Sequence, residues 1–80
     1  MQIITPDQRP AKLNKANARD VAKARAALAM GEGGIYARSL SAIHRSSSAQ
    51  QQREVEWAIA ADGAQHLFAR HPNTGALVAA

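Results

Sequence analysis

The stretch SAQQQREVEWAIAADG, residues 48–63, decides the fold, because it carries two incompatible periods. Val55, Trp57 and Ile59 alternate with Glu54, Glu56 and Ala58, which is the period of a half-buried strand. Asp62-Gly63 then reads as the two-residue turn of a β-hairpin. The same residues admit a helix. Ser48-x-x-Gln51 matches a capping box, and a helix over 49–61 would end at Gly63. The strand reading is preferred, because turn signals fall on both sides of the next apolar run where a meander needs them: Asp62-Gly63 before it and Pro72-Asn73-Thr74-Gly75 after it. Residues 54–80 are thus expected to form a three-stranded antiparallel meander, with strands at 54–60, 66–71 and 76–79.

That register puts Phe68 opposite Ala79 and Arg70 opposite Leu77. Val55, Trp57, Ile59, Phe68 and Leu77 share one sheet face, the natural core face. Glu56, Ala58, Ala60, Leu67, Ala69 and Val78 share the other, which is more apolar than a solvated face normally is.

Upstream, residues 14–30 form the clearest helix. Asn14 or Asn17 serves as N-cap, the interior is rich in Ala, Lys, Arg and Leu, and Gly31 suits the left-handed position that ends helices. Val21, Ala24 and Leu28 share a narrow apolar stripe, and Lys12, Lys15, Arg19 and Lys23 lie opposite. Residues 31–34 read as a flexible joint. Tyr36, Leu40 and Ile43 then give a second, shorter helix over 35–46. Ser46–Ser48 and Gln50–Gln52 form a polar break. Met1–Thr5 is a candidate short edge strand that would extend the sheet, with Pro6 and Pro10 breaking regular structure after it. The expected class is therefore α+β: an N-terminal helical part followed by the meander, in one domain spanning residues 1–80.

Composition narrows the function classes. Nineteen of the 80 residues are alanine and three are aromatic, so the core is thin and a partner or second copy is a natural complement to it. The absence of cysteine removes disulfides, thiolate zinc sites and thiol nucleophiles, and favours a cytoplasmic home. The N-terminus lacks the basic and apolar regions of a signal peptide, no segment is apolar over a bilayer's thickness, and the chain reads as a complete small open reading frame. The net charge of +4 is unevenly spread: residues 1–25 carry six bases against two acids, whereas residues 54–80 carry Arg70 against Glu54, Glu56 and Asp62. A basic front half is drawn to nucleic acid or to an acidic protein surface.

No catalytic or cofactor motif accompanies this charge. His66 and His71 are five apart and would point to opposite faces of a strand, and His44 lies elsewhere, so no metal site is expected. Ser46–Ser48 beside His44 lack the strained turn that exposes a nucleophilic serine. Gly31–Gly34 lacks the Lys-Ser/Thr ending of a phosphate loop. The candidate contact residues are the bases Lys12, Lys15, Arg19, Lys23, Arg38 and Arg45, together with an apolar set, Tyr36, Leu67 and Val78, through which a target or a second copy would dock.

Two functions follow as expectations. The first is a non-enzymatic protein, without cofactor, that docks on a protein or nucleoprotein partner. Stand-alone domains of this size are the usual form of small regulators and of phage- or mobile-element-encoded inhibitors, anti-CRISPR proteins among them, which occlude a nucleic-acid-binding complex sterically. The analogy is one of size and absent motifs. The alternative is a nucleic-acid-binding regulator that uses the basic helix.

Overall fold

In the computed structural model, which describes residues 9–80, the 48–63 stretch is a helix. The order is α1 (Lys15–Ala29), α2 (Gly33–Ser46), α3 (Ala49–Ala61), a 3₁₀ turn (Gln65–Leu67), and strands β1 (Phe68–Arg70) and β2 (Leu77–Ala79), paired antiparallel. The protein is α+β, but the expected three-stranded meander is corrected to three helices and one hairpin. The candidate strand at Met1–Thr5 lies outside the described residues.

Capping chemistry explains why helix wins at 49–61. The Ser48 hydroxyl accepts the Gln51 N–H at 3.2 Å, satisfying one of the four amides a helix start leaves open. At the other end, Gly63 takes φ +66°; its N–H donates to Ala60 O at 3.1 Å and that of Ala64 to Ile59 O at 3.1 Å. This pair of bonds is the Schellman motif, so Asp62-Gly63 is a helix end rather than a hairpin turn. Between the caps, Val55, Ala58 and Ile59 are all fully buried at i, i+3, i+4, and the alternation Val55-Trp57-Ile59 breaks at the half-buried Trp57. Five residues of alternation cannot outweigh two good caps on an alanine- and glutamine-rich segment.

The other elements follow the sequence more closely. Asn14 caps α1, its side-chain oxygen accepting the Asn17 N–H at 2.8 Å, and Gly31, at φ +80°, closes α1 with the same pair of bonds as Gly63 closes α3. The expected glycine joint is shorter than its composition suggests, because Gly33 and Gly34 already form the first turn of α2. There Gly33 makes room for Leu67, whose Cδ1 lies 3.4 Å from where a Cβ would stand. The hairpin has the expected register, Phe68 opposite Ala79 and Arg70 opposite Leu77.

Helix α2 is the centre of the molecule, packed between α1, α3 and the hairpin. Its Tyr36 and Leu40 are fully buried with Val21 of α1, Val55 and Ile59 of α3, and Leu77 of β2. The Tyr36 and Phe68 rings meet edge to face, centroids 6.1 Å apart. Small residues (Ala24, Ala37, Ala58 and Ala64) fill the remaining buried positions and allow close approach of the backbones.

The caps make the helix assignment testable. Ser48→Ala is expected to destabilise the protein by about 1 kcal/mol and Gly63→Ala by about 1–2 kcal/mol through left-handed strain. Denaturant unfolding followed by Trp57 fluorescence and far-ultraviolet circular dichroism measures both; a hairpin turn at 62–63 would leave the Ser48 variant unchanged.

Candidate functional site

The three carboxylates of the acidic C-terminal third all lie on or just after α3, and each ties it to another part of the chain. Glu54 is buried; it takes the Arg9 guanidinium at 2.8 Å and the Lys12 backbone N–H at 2.5 Å. Glu56 accepts from His44 Nε2 of α2 at 2.8 Å and from Arg70 of β1. Asp62 accepts the Tyr36 hydroxyl of α2 at 2.6 Å and Arg25 of α1 at 2.9 and 3.0 Å. Asp20 faces Arg19 at 3.7 Å. Among the described residues Glu32 is then the acid without a basic partner.

The bases are not spent in the same way. Lys12, Lys15, Lys23, Arg38, Arg45 and Arg53 are exposed, with no carboxylate in ion-pair reach among the described residues, and Arg19 is exposed beside its distant Asp20. Because Glu54, Glu56 and Asp62 each take up one base, Arg9, Arg70 and Arg25, the formal excess of +4 is carried by the bases left exposed.

Hydrogen bonds gather part of that surface at one end of the molecule. The Gln51 side-chain oxygen accepts from Asn14 N at 2.9 Å and from Asn17 Nδ2 at 3.2 Å, while its nitrogen donates to Lys12 O at 3.2 Å. Asn17 Nδ2 also donates to Ser47 Oγ at 3.2 Å, and Gln52 Nε2 to His44 O at 2.9 Å. The start of α1, the end of α2 and the start of α3 thus meet in one polar knot, and the exposed Lys12, Lys15, Arg45 and Arg53 each belong to it or adjoin one of its residues along the chain. Of the three consecutive glutamines, Gln51 and Gln52 are consumed in the knot. Gln50 is exposed, without a hydrogen-bond partner among the described residues.

The residues expected from sequence divide accordingly. Lys12, Lys15 and Arg45 stand at this basic pole. Arg19 and Lys23 continue the stripe along α1, and Arg38 lies further back along α2. Arg53 and Gln50 are missing from the expected set, because a polar break ahead of a strand at 54 gave them no helix face to share; the Ser48-x-x-Gln51 cap is the signal that places them. The apolar set is dispersed. Tyr36 has no exposed surface, Leu67 packs over Gly33, and Val78 is half-buried in β2 beside Ala69. The smooth sheet face expected to unite Leu67 and Val78 with Ala58 and Ala60 does not form, since the two alanines belong to α3. Exposed apolar side chains lie instead at the opposite end, Met30 and Ile35, the latter beside an open groove of about 320 Å³ between α1 and α2 also lined by Asp20, Lys23, Ser39 and Ile43.

Among the described residues no group of three metal-ligating side chains converges, and no helix is long and apolar enough to cross a membrane. His44 is buried, with Nε2 on Glu56 and Nδ1 without a partner among the described residues; Ser41 Oγ is likewise buried and unpartnered among them, and the groove does not reach either. No family model, no curated protein and no solved structure matches the chain.

Two of the ties couple the stability of the fold to pH. Burial alone would raise Glu56, but hydrogen bonds from His44 and Arg70, with their charges, outweigh it and hold the carboxyl below its ordinary value. Its stabilising contribution is present above the unfolded carboxylate value of about 4.3 and is lost as the pH falls through the lower folded value. Burial, then the hydrogen bond to Asp62 and that carboxylate's charge, push the Tyr36 phenol well above its ordinary value against the opposing charge of Arg25. That contribution is complete below about pH 10 and is lost as the pH rises beyond it. Because the chain has one tyrosine, tyrosinate absorbance reads Tyr36 directly. Absorbance and circular dichroism are expected to change together in an alkaline titration; tyrosinate forming ahead of unfolding would contradict the buried Tyr36–Asp62 bond.

Proposed function

We propose that this protein is a non-enzymatic nucleic-acid-binding protein whose basic pole engages the phosphate backbone. One observation carries the reading: Glu54, Glu56 and Asp62 are spent inside the fold, whereas Lys12, Lys15, Arg45 and Arg53 are left exposed around one polar knot. Exposed lysines and arginines on a rigid base neutralise phosphates and release their counterions, which gives affinity without a pocket. The same observation weighs against occlusion of a basic, nucleic-acid-binding groove, since an occluder of such a groove must offer acids to it.

Docking on a protein is the second reading. It is favoured by the exposed Met30 and Ile35 at the other end, Ile35 lining the groove that Lys23 borders.

Fluorescence anisotropy with labelled nucleic acid at low salt tests the first reading. Four phosphate contacts are expected to give a slope of log K against log salt of roughly −3 to −4. The double variant Lys15→Glu/Arg53→Glu, both at exposed positions, is expected to lose at least roughly tenfold in affinity. Absence of binding at low salt would reject the reading and leave the protein-docking one.

A further inference from the structure

Building on that reading, we infer that the partner is B-form duplex DNA, read in the major groove by the outer face of α3 through Gln50 and Arg53, with the tip of the β1–β2 hairpin against the flanking backbone.

The aromatic inventory separates duplex from single strand. Proteins that hold single strands stack the bases on exposed rings. Here Tyr36 and Phe68 are buried, and Trp57 is half-buried with the Arg9 guanidinium 3.4 Å over its ring. None of the three offers an uncovered platform. The reading element is a helix, and a helix fits the wide major groove of B-DNA but not the deep, narrow one of an RNA duplex.

The fold also selects which side chains can read. On α3, Val55, Ala58 and Ile59 face the core, and Gln51, Gln52, Glu54 and Glu56 are bound to neighbouring elements. The opposite face carries Trp57, which the Arg9 guanidinium covers, and before it Gln50 and Arg53, three residues apart, exposed and free of intramolecular partners among the described residues. Glutamine pairs with adenine and arginine with guanine through two-pronged hydrogen bonds. Ser47 and Ser48, both extended, are all that separate α2 from α3, so α3 is held by its predecessor rather than on a loose loop.

The hairpin points the same way. Phe68 of β1 packs on Tyr36, and two residues later Arg70 reaches the Glu56 carboxylate that also holds His44, two turns further along α2. Strand β1 therefore advances towards the end of α2 that forms the basic pole, and the turn at 71–75 is exposed beyond it. That turn is braced by His71 N–H to Ala76 O at 2.9 Å, Gly75 N–H to His71 O at 2.9 Å, and Arg70 to Gly75 O at 2.9 Å. It offers exposed His71, Asn73 and Thr74 as polar contacts for phosphate.

The test uses the full chain and three labelled probes of equal length: a random-sequence DNA duplex, its single strand, and an RNA duplex. The DNA duplex is expected to bind at least roughly tenfold tighter than either of the others. A sequence enriched from a randomised duplex pool then serves for variants whose circular dichroism matches the parent. Gln50→Ala is expected to lose roughly tenfold on the enriched sequence and little on the random duplex, and Arg53→Ala to lose roughly tenfold more on the enriched sequence than on the random one, whereas Lys15→Ala and Asn73→Asp lose equally on both. Equal or tighter binding of the single strand or the RNA duplex overturns the inference while leaving nucleic-acid binding intact. So does a pool that yields no preferred sequence, or losses for Gln50→Ala and Arg53→Ala that are equal on both duplexes. Binding to none of the three probes overturns both proposals.

Discussion

The structure depends on how α3 spends its carboxylates. Glu54, Glu56 and Asp62 radiate from one side of the sequence to Arg9 and Lys12, to His44 and Arg70, and to Tyr36 and Arg25. An 80-residue chain with a small core, in which alanine fills four of the buried positions, gains little from apolar burial alone. Partly shielded, multiply hydrogen-bonded acids supply directional ties between elements that the thin core cannot position by itself. Glu54 is the most demanding of them, since a buried carboxylate stripped of Arg9 and the Lys12 amide would be left uncompensated.

This arrangement also separates formal charge from surface field. Counted along the sequence, the chain is a dipole with an acidic final third. Folded, that third has turned its acids inward, and the positive residues of α1, α2 and α3 surround an end from which negative charge has been withdrawn. The ties withdraw Arg9, Arg25 and Arg70 along with the acids, so folding leaves the net excess unchanged and decides only which bases remain exposed to carry it.

Much of the fold was legible in the sequence. Asn14 and Gly31 mark the ends of α1, Tyr36, Leu40 and Ile43 give α2 its period, and Pro72-Asn73-Thr74-Gly75 fixes the hairpin register. The error lay in 48–63, where a strand period and a helix period overlap on Val55 and Ile59, and where Asp-Gly serves equally as a hairpin turn or a helix end. The consequence spread from there, because a strand at 54–60 hid the helix face of Gln50 and Arg53 and created an apolar sheet face that does not exist. The functions of Gln51 and Glu54 were beyond sequence reasoning for a different reason. Their partners lie roughly forty residues away, and no local pattern announces a side chain that seats a distant backbone amide.

The segment from Arg9 to Asn14, which lies across α3, has a consequence for how the chain is made. Its anchors on Glu54 stand 45 and 42 residues further along. During synthesis residues 9–14 therefore wait without their seat until α3 has left the ribosome. α1 and α2, by contrast, pair through a short connection and assemble early. Residues 9–14 are thus made before α1 and α2 yet dock after them, once α3 is present to receive them.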